Sequence, residues 1–190
     1  EPQTVQAELG TKTGVVNLNG VWQKVALAGA STLGNRYTTR DVRRPGEPAA
    51  TVVDYGKGKI GAVYGPFCRG YLQTHHPWLR EFLQPVVEEL FPEPAVKIAA
   101  PSSVEIALRK TKNGLLSLHL LNRANMPMGN YRVIDTVPKA GPIELTLQVP
   151  KRPKNVKLVP TGDKLNWRYK NGELSVKTPS IHIHEVLIVE

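Results

Sequence analysis

The chain has 190 residues, 41% hydrophobic and 22% charged, an ordinary globular composition with room for one or two small domains. Twenty-five Lys and Arg against sixteen Asp and Glu give a formal charge of +9, which favours anionic partners such as nucleic acid, a lipid surface or an acidic polysaccharide. A single cysteine excludes an internal disulfide framework and a Cys-based zinc site, and no apolar run approaches the ~20 residues that span a bilayer.

Sixteen glycines and sixteen prolines, against three Phe and two Met, predict many turns and short strands instead of a helical bundle. No basic-then-apolar leader opens the chain, so the stretch in hand reads as soluble. It begins with Glu1 and not Met, which leaves room for sequence upstream. The single cysteine leaves the redox compartment, and with it the localisation, open.

Residues 1–12 are polar and unpatterned, and are expected to form a loosely held lead-in. Val15-Val16 and Val21 to Leu27 read as short strands around the turn signal Asn19-Gly20. The prolines and glycine of Arg43 to Pro48 predict a loop. Ala50 to Tyr55 and Lys59 to Gly65 then read as a hairpin joined by Gly56-Lys57-Gly58.

The clearest local assignment is a helix from Pro77 to Phe91. Trp78, Leu79, Phe82, Leu83, Val86, Val87, Leu90 and Phe91 fall on one arc at a 3.6 period, with Arg80, Glu81, Gln84, Glu88 and Glu89 opposite. Pro77 suits the first helical position, and Pro85 predicts a kink. The few strands before the helix look insufficient to cover this arc, which predicts burial against further protein surface.

After Pro92-Glu93-Pro94 the period changes to two. Val104, Ile106 and Leu108 alternate with Glu105, Ala107 and Arg109, and Asn113-Gly114 leads into Leu115 to Leu121. Ile143, Leu145, Leu147 and Val149 repeat the pattern, as do Leu165, Trp167 and Tyr169, which Asn171-Gly172 turns into Leu174 to Val176. With Val96 to Ala99, Val156 to Val159 and Ile181 to Val189, about eight strands predict an antiparallel β-sandwich, Arg123 to Gly141 forming a long loop at one end. The expected fold class is α+β: an incomplete α/β or β-rich part with one main helix over residues 1–92, then a sandwich over 93–190.

Candidate chemistry is sparse. Gly56-Lys57-Gly58-Lys59 lacks the spacing of a phosphate-binding loop and reads as a tight turn. Cys68 would need a base such as His75 or His76 to act as a nucleophile, but no nucleophile motif surrounds it, so a small, partly buried thiol is expected. His182 and His184 share a strand face and would hold zinc only if a third ligand, for instance His119, joined them. Trp167, Tyr169 and Trp22, with Tyr37, would contact carbohydrate if exposed in a cluster, whereas Trp167 and Tyr169 share a face with Leu165, as core residues do. The charges from Lys151 to Lys170 suit a solvated sheet face, and would serve nucleic acid only if gathered on one concave surface. Asp41, Glu47, Asp54 and Glu81 lie on unrelated elements and offer no glycosidase pair. No catalytic residue, metal ligand or cofactor site is nominated.

Pro48 through Ile60, the segment Gly70 to Arg80 with His76-Pro77-Trp78-Leu79-Arg80, and the helix into Pro92-Glu93-Pro94 resemble the closing part of an amidotransferase-like domain, the type called the trimerisation domain in some β-galactosidases. Val104-Glu105-Ile106, Leu118 to Asn122 and Ile183 to Leu187 resemble the small C-terminal β-domain of bacterial glycoside hydrolases. The resemblance covers roughly residues 47–190. It implies a parent enzyme with a (β/α)8 catalytic barrel ahead of both parts, and a non-catalytic accessory role for this chain. The partners it implies are that barrel or further copies of the chain. A carbohydrate-binding module is the first rival, and a basic nucleic-acid-binding protein the second.

Overall fold

The computed structural model describes residues 2–124 and 136–190, so the central part of the loop expected over Arg123 to Gly141 lies outside the described residues. The chain divides into two compact units, Glu1–Glu93 and Pro94–Glu190. Every strand pairing among the described residues is antiparallel. The molecule is a β-rich α+β protein with two helices among the described residues.

In the first unit, β1 (Pro2–Val5) pairs with β4 (Gly20–Gln23). A five-stranded sheet has the order β3 (Val15–Asn17), β2 (Glu8–Gly10), β5 (Ser31–Tyr37), β6 (Glu47–Tyr55), β7 (Gly58–Val63). The opening residues are thus strands, not a loose lead-in: Leu9 is buried opposite Val16, and the Ala7 carbonyl accepts the Leu18 amide at 2.8 Å. The hairpin β6–β7 closes in a tight turn in which Gly56 adopts φ 58°.

A short helix α1 (Phe67–Thr74) precedes α2 (Pro77–Leu90), in addition to the one main helix expected. His75 ends α1 at φ 50° with its amide bonded to the Tyr71 carbonyl, and the His76 imidazole caps α2 by accepting from the Trp78 amide at 3.2 Å. Helix α2 continues through Pro85.

Most of the apolar arc of α2 is covered by its own sheet, since β5 and β2 supply the width that sequence patterning does not reveal, while Val87 and Phe91 stay exposed. Two strand glycines make the close approach possible. A Cβ on Gly34 would lie 2.5 Å from the Phe82 ring, and one on Gly61 would lie 2.7 Å from Val86. On the same face of the sheet as Gly61 and Val52, Lys59 bonds Glu89 of the helix at 2.5 Å. The core joins Phe82, Val86 and Leu79 to Leu9, Trp22, Ala49, Ala50 and Phe67.

The second unit is a sandwich. One sheet has the order β12 (Val156–Val159), β15 (His184–Val189), β10 (Leu116–Asn122), β9 (Val104–Lys110). The other has the order β13 (Trp167–Lys170), β14 (Glu173–Thr178), β11 (Ile143–Gln148), β8 (Val96–Ala99). Leu118, Leu120, Leu158 and Leu187 from the first sheet meet Ile143, Leu145, Leu147, Leu174 and Val176 from the second. Two-residue periodicity explains the burial: Ile143, Leu145 and Leu147 are inside while Glu144 and Gln148 are exposed. Asn171 at φ 51° and Gly172 at φ 85° form the two-residue turn between β13 and β14, both central residues adopting the left-handed backbone that such hairpins need.

Candidate functional site

Cys68 is exposed on α1 and is not the partly buried thiol its sequence context suggests. His75 and His76 are engaged at helix ends, their rings packed on Tyr71 and Trp78 at centroid distances of 5.5 and 5.3 Å. These roles shape the backbone and give the thiol no base.

His119 and His184 do come together, from β10 and β15. Their rings stack at 5.3 Å, and Nδ1 of His119 lies 3.1 Å from Nε2 of His184, one ring donating and the other accepting. His182 is exposed, and its backbone carbonyl accepts from the Asn122 side-chain Nδ2 at 2.7 Å. No group of three His, Cys, Asp or Glu side chains among the described residues is arranged to hold a metal ion.

The aromatic candidates fall in different units and face inward to different degrees. Trp22 is 0% exposed, and its indole N–H donates to the Leu18 carbonyl at 3.0 Å, so it has no ring face to offer a sugar. Tyr37 is half-buried on β5. Tyr169 is half-buried against the sandwich core and donates its hydroxyl to the Val149 carbonyl at 3.1 Å. Trp167 packs on the same core beneath the Arg152 guanidinium, 5.7 Å from the ring centroid.

Several carboxylates are tied to neighbouring cations: Asp41 to Arg43, Glu47 to Arg36, Glu89 to Lys59, Glu105 to Arg123, Glu144 to Lys177 and Glu190 to Lys157. The basic run after Lys151 is divided between elements, because Lys157 belongs to the β12 sheet and Arg168 to the β13 sheet.

A groove lies on the outer face of the sheet β13-β14-β11-β8, with a volume of about 820 Å³. The register builds it. Arg168 opposes Ser175, Ser175 opposes Thr146, and Thr146 opposes Lys97, which sets one row of four outward side chains straight across the sheet. Three strand spacings separate its ends, about 14 Å. In the next row Lys177 opposes Glu144, and Glu144 opposes Ala99, with Asn166 beside them at the start of β13.

Lys177 donates to Glu144 at 2.8 Å, and its hydrogen bond and charge hold the Glu144 carboxyl below the usual carboxylate range. The side chains of Lys97 and Arg168 are exposed and have no hydrogen-bond or ion-pair partner among the described residues. The row therefore reads cation, hydroxyl, hydroxyl, cation. The surrounding field has the same sign. After residue 93 there are fifteen Lys and Arg against seven Asp and Glu, a net +8, whereas residues 1–93 carry ten against nine. Of the four row residues only Arg168 falls in a stretch singled out from sequence, the basic run from Lys151 to Lys170, although each is the polar member of an alternating strand.

No family model matches the chain, and no curated protein matches it in sequence. Solved structures do share its fold. α-L-Fucosidase isoenzyme 2 from Paenibacillus thiaminolyticus superposes with a TM-score of 0.76 at 18% identity, over 98% of this chain and 32% of that one. Gan42B, a GH42 β-galactosidase from G. stearothermophilus, gives a TM-score of 0.53 at 17% identity over 99% of this chain and 22% of its own; its catalytic mutant gives the same score over 100% and 22%. The chain thus has a fold found within glycoside hydrolases, and spans between about a fifth and a third of their length.

Proposed function

We propose that this chain is a non-catalytic accessory region of a glycoside-hydrolase-like protein, with a structural or assembly role beside a catalytic barrel. The observation that carries the reading is the coverage: nearly the whole chain matches a piece amounting to 32% of the fucosidase. Its surface chemistry supports the same conclusion. Glu144 and Glu190 are each held by a lysine on the sandwich surface, and a glycosidase needs two carboxyls facing one another across a cleft. The first unit serves assembly in this reading, in the manner of a trimerisation-type domain, and Phe91 at the end of α2, 70% exposed, is apolar surface available for it.

The test is hydrolysis. The purified chain should release no chromophore from aryl α-L-fucosides or aryl β-galactosides. Turnover abolished by Glu144→Gln, Glu47→Gln or another single carboxylate substitution would overturn the reading.

A further inference from the structure

We propose that the groove on the outer face of β13-β14-β11-β8 binds an acidic oligosaccharide, with uronate carboxylates paired to Arg168 and Lys97 and sugar hydroxyls bonded to Thr146, Ser175 and Asn166. The inference goes beyond the accessory role and stands on the groove alone. Two unpaired cations on strands about 14 Å apart suit an extended ligand carrying more than one negative charge. A small anion would engage only one of them. Arg168 presents a planar fork that matches a carboxylate through two parallel hydrogen bonds, and Lys97 supplies a point charge at the far end.

Between the two cations the floor is hydroxylic. Thr146 and Ser175 each both donate and accept, which matches the donor-acceptor character of a sugar hydroxyl. Ala99 leaves the adjoining row shallow, so a flat ring can approach the sheet. The net +8 of this unit draws anionic chains toward the face.

Nucleic acid fits less well. A phosphate track needs a continuous run of cations, and single strands need exposed rings on which bases stack. Here the two unpaired cations stand at opposite ends of the row, Lys177 is engaged by Glu144, and Trp167 packs on the sandwich core under Arg152.

The test uses the intact chain in calorimetric titrations at low salt with oligogalacturonate, a neutral galacto-oligosaccharide, a sulfated oligosaccharide and a single-stranded DNA oligomer. Oligogalacturonate should bind in preference to the other three, weaken as salt rises, and shift the amide resonances of Thr146 and Ser175. The double variant Lys97→Gln, Arg168→Gln should weaken this binding roughly tenfold or more, since both charge-assisted contacts go. Lys154→Gln, an exposed cation outside the groove, should leave it unchanged. Dispersed amide spectra of each variant establish that the fold is intact. The proposal is overturned if oligogalacturonate does not bind, if the neutral, sulfated or DNA ligand binds as well or better, if the double variant binds normally, or if Lys154→Gln weakens binding equally. Hydrolytic activity is a separate readout, so this failure and that of the accessory role are distinguishable.

Discussion

At the scale of single residues, several charges are engaged by a neighbour of opposite sign, and Glu190 illustrates the consequence. Its carboxyl accepts from Lys157 at 2.5 Å and from Asn155 at 3.3 Å, and these hydrogen bonds, with the lysine charge, hold it below the usual carboxylate range. A carboxyl lowered in the folded state stabilises that state at pH values above its unfolded midpoint. The contribution is lost as pH falls through the lower, folded midpoint. The pair is partly exposed and screened by solvent, so the effect on stability is small and the titration is the better observable. In an NMR titration the Glu190 side-chain carboxyl should have a midpoint below that of an ordinary glutamate, and Lys157→Met should move it upward. An unchanged midpoint in that variant would show that the lysine does not set it.

Elements owe their positions to contacts that sequence periodicity reveals unevenly. Phe82 is buried on α2 against Gly34 of β5 and stacks on Phe67 of α1 at 6.4 Å, so it ties both helices to the sheet. Phe82→Ala should destabilise the first unit by about 3–5 kcal/mol, because the rigid backbone at Gly34 cannot collapse into the space. Phe91→Ala, at an exposed position, should change stability little; equal losses of denaturation midpoint would contradict this account. Helix α2 was legible because its apolar arc is long and Pro77 marks its start. The sandwich was legible because β11 and β14 alternate cleanly and Asn171-Gly172 joins β13 to β14. Helix α1 was not, since its eight residues are too few to establish a period and its buried side, Phe67 and Gly70 with half-buried Tyr71, includes a glycine that reads as a turn signal. Strand β5, Ser31 to Tyr37, was hidden by its polar residues, a glycine and a register shift near Gly34. Its Arg36 is buried through an ion pair with Glu47 and a face-on contact with Trp22, which no apolar pattern encodes. The groove was invisible for a different reason. Lys97, Thr146, Arg168 and Ser175 each occupy a readable polar position, but only the order β13-β14-β11-β8 brings them into one row.

At the scale of the whole molecule, each unit has its own core. The first cluster contains no residue beyond Leu90 and the second none before Val96. Charge divides in the same way, with +8 of the formal +9 after residue 93. A unit with a closed core loses little apolar burial when its neighbour is removed, provided its strands find their partners within the same segment. Here they do: β8 through β15 pair only with one another. Residues 94–190 expressed alone should therefore unfold in one cooperative transition, give dispersed amide spectra and retain the groove. The retained groove is the stricter requirement, because β8 forms one edge of it through Lys97 and begins two residues after the division of the chain. If β8 frayed in the isolated segment, Lys97 would lose its place opposite Thr146 and oligogalacturonate affinity would fall while the remaining sandwich stayed ordered. Amide exchange at Lys97 and Ile98 tests this directly. Protection comparable to that at Leu145 and Leu147 on β11 would establish the second unit as self-sufficient; a molten product, or fast exchange along β8, would show that it depends on residues 1–93.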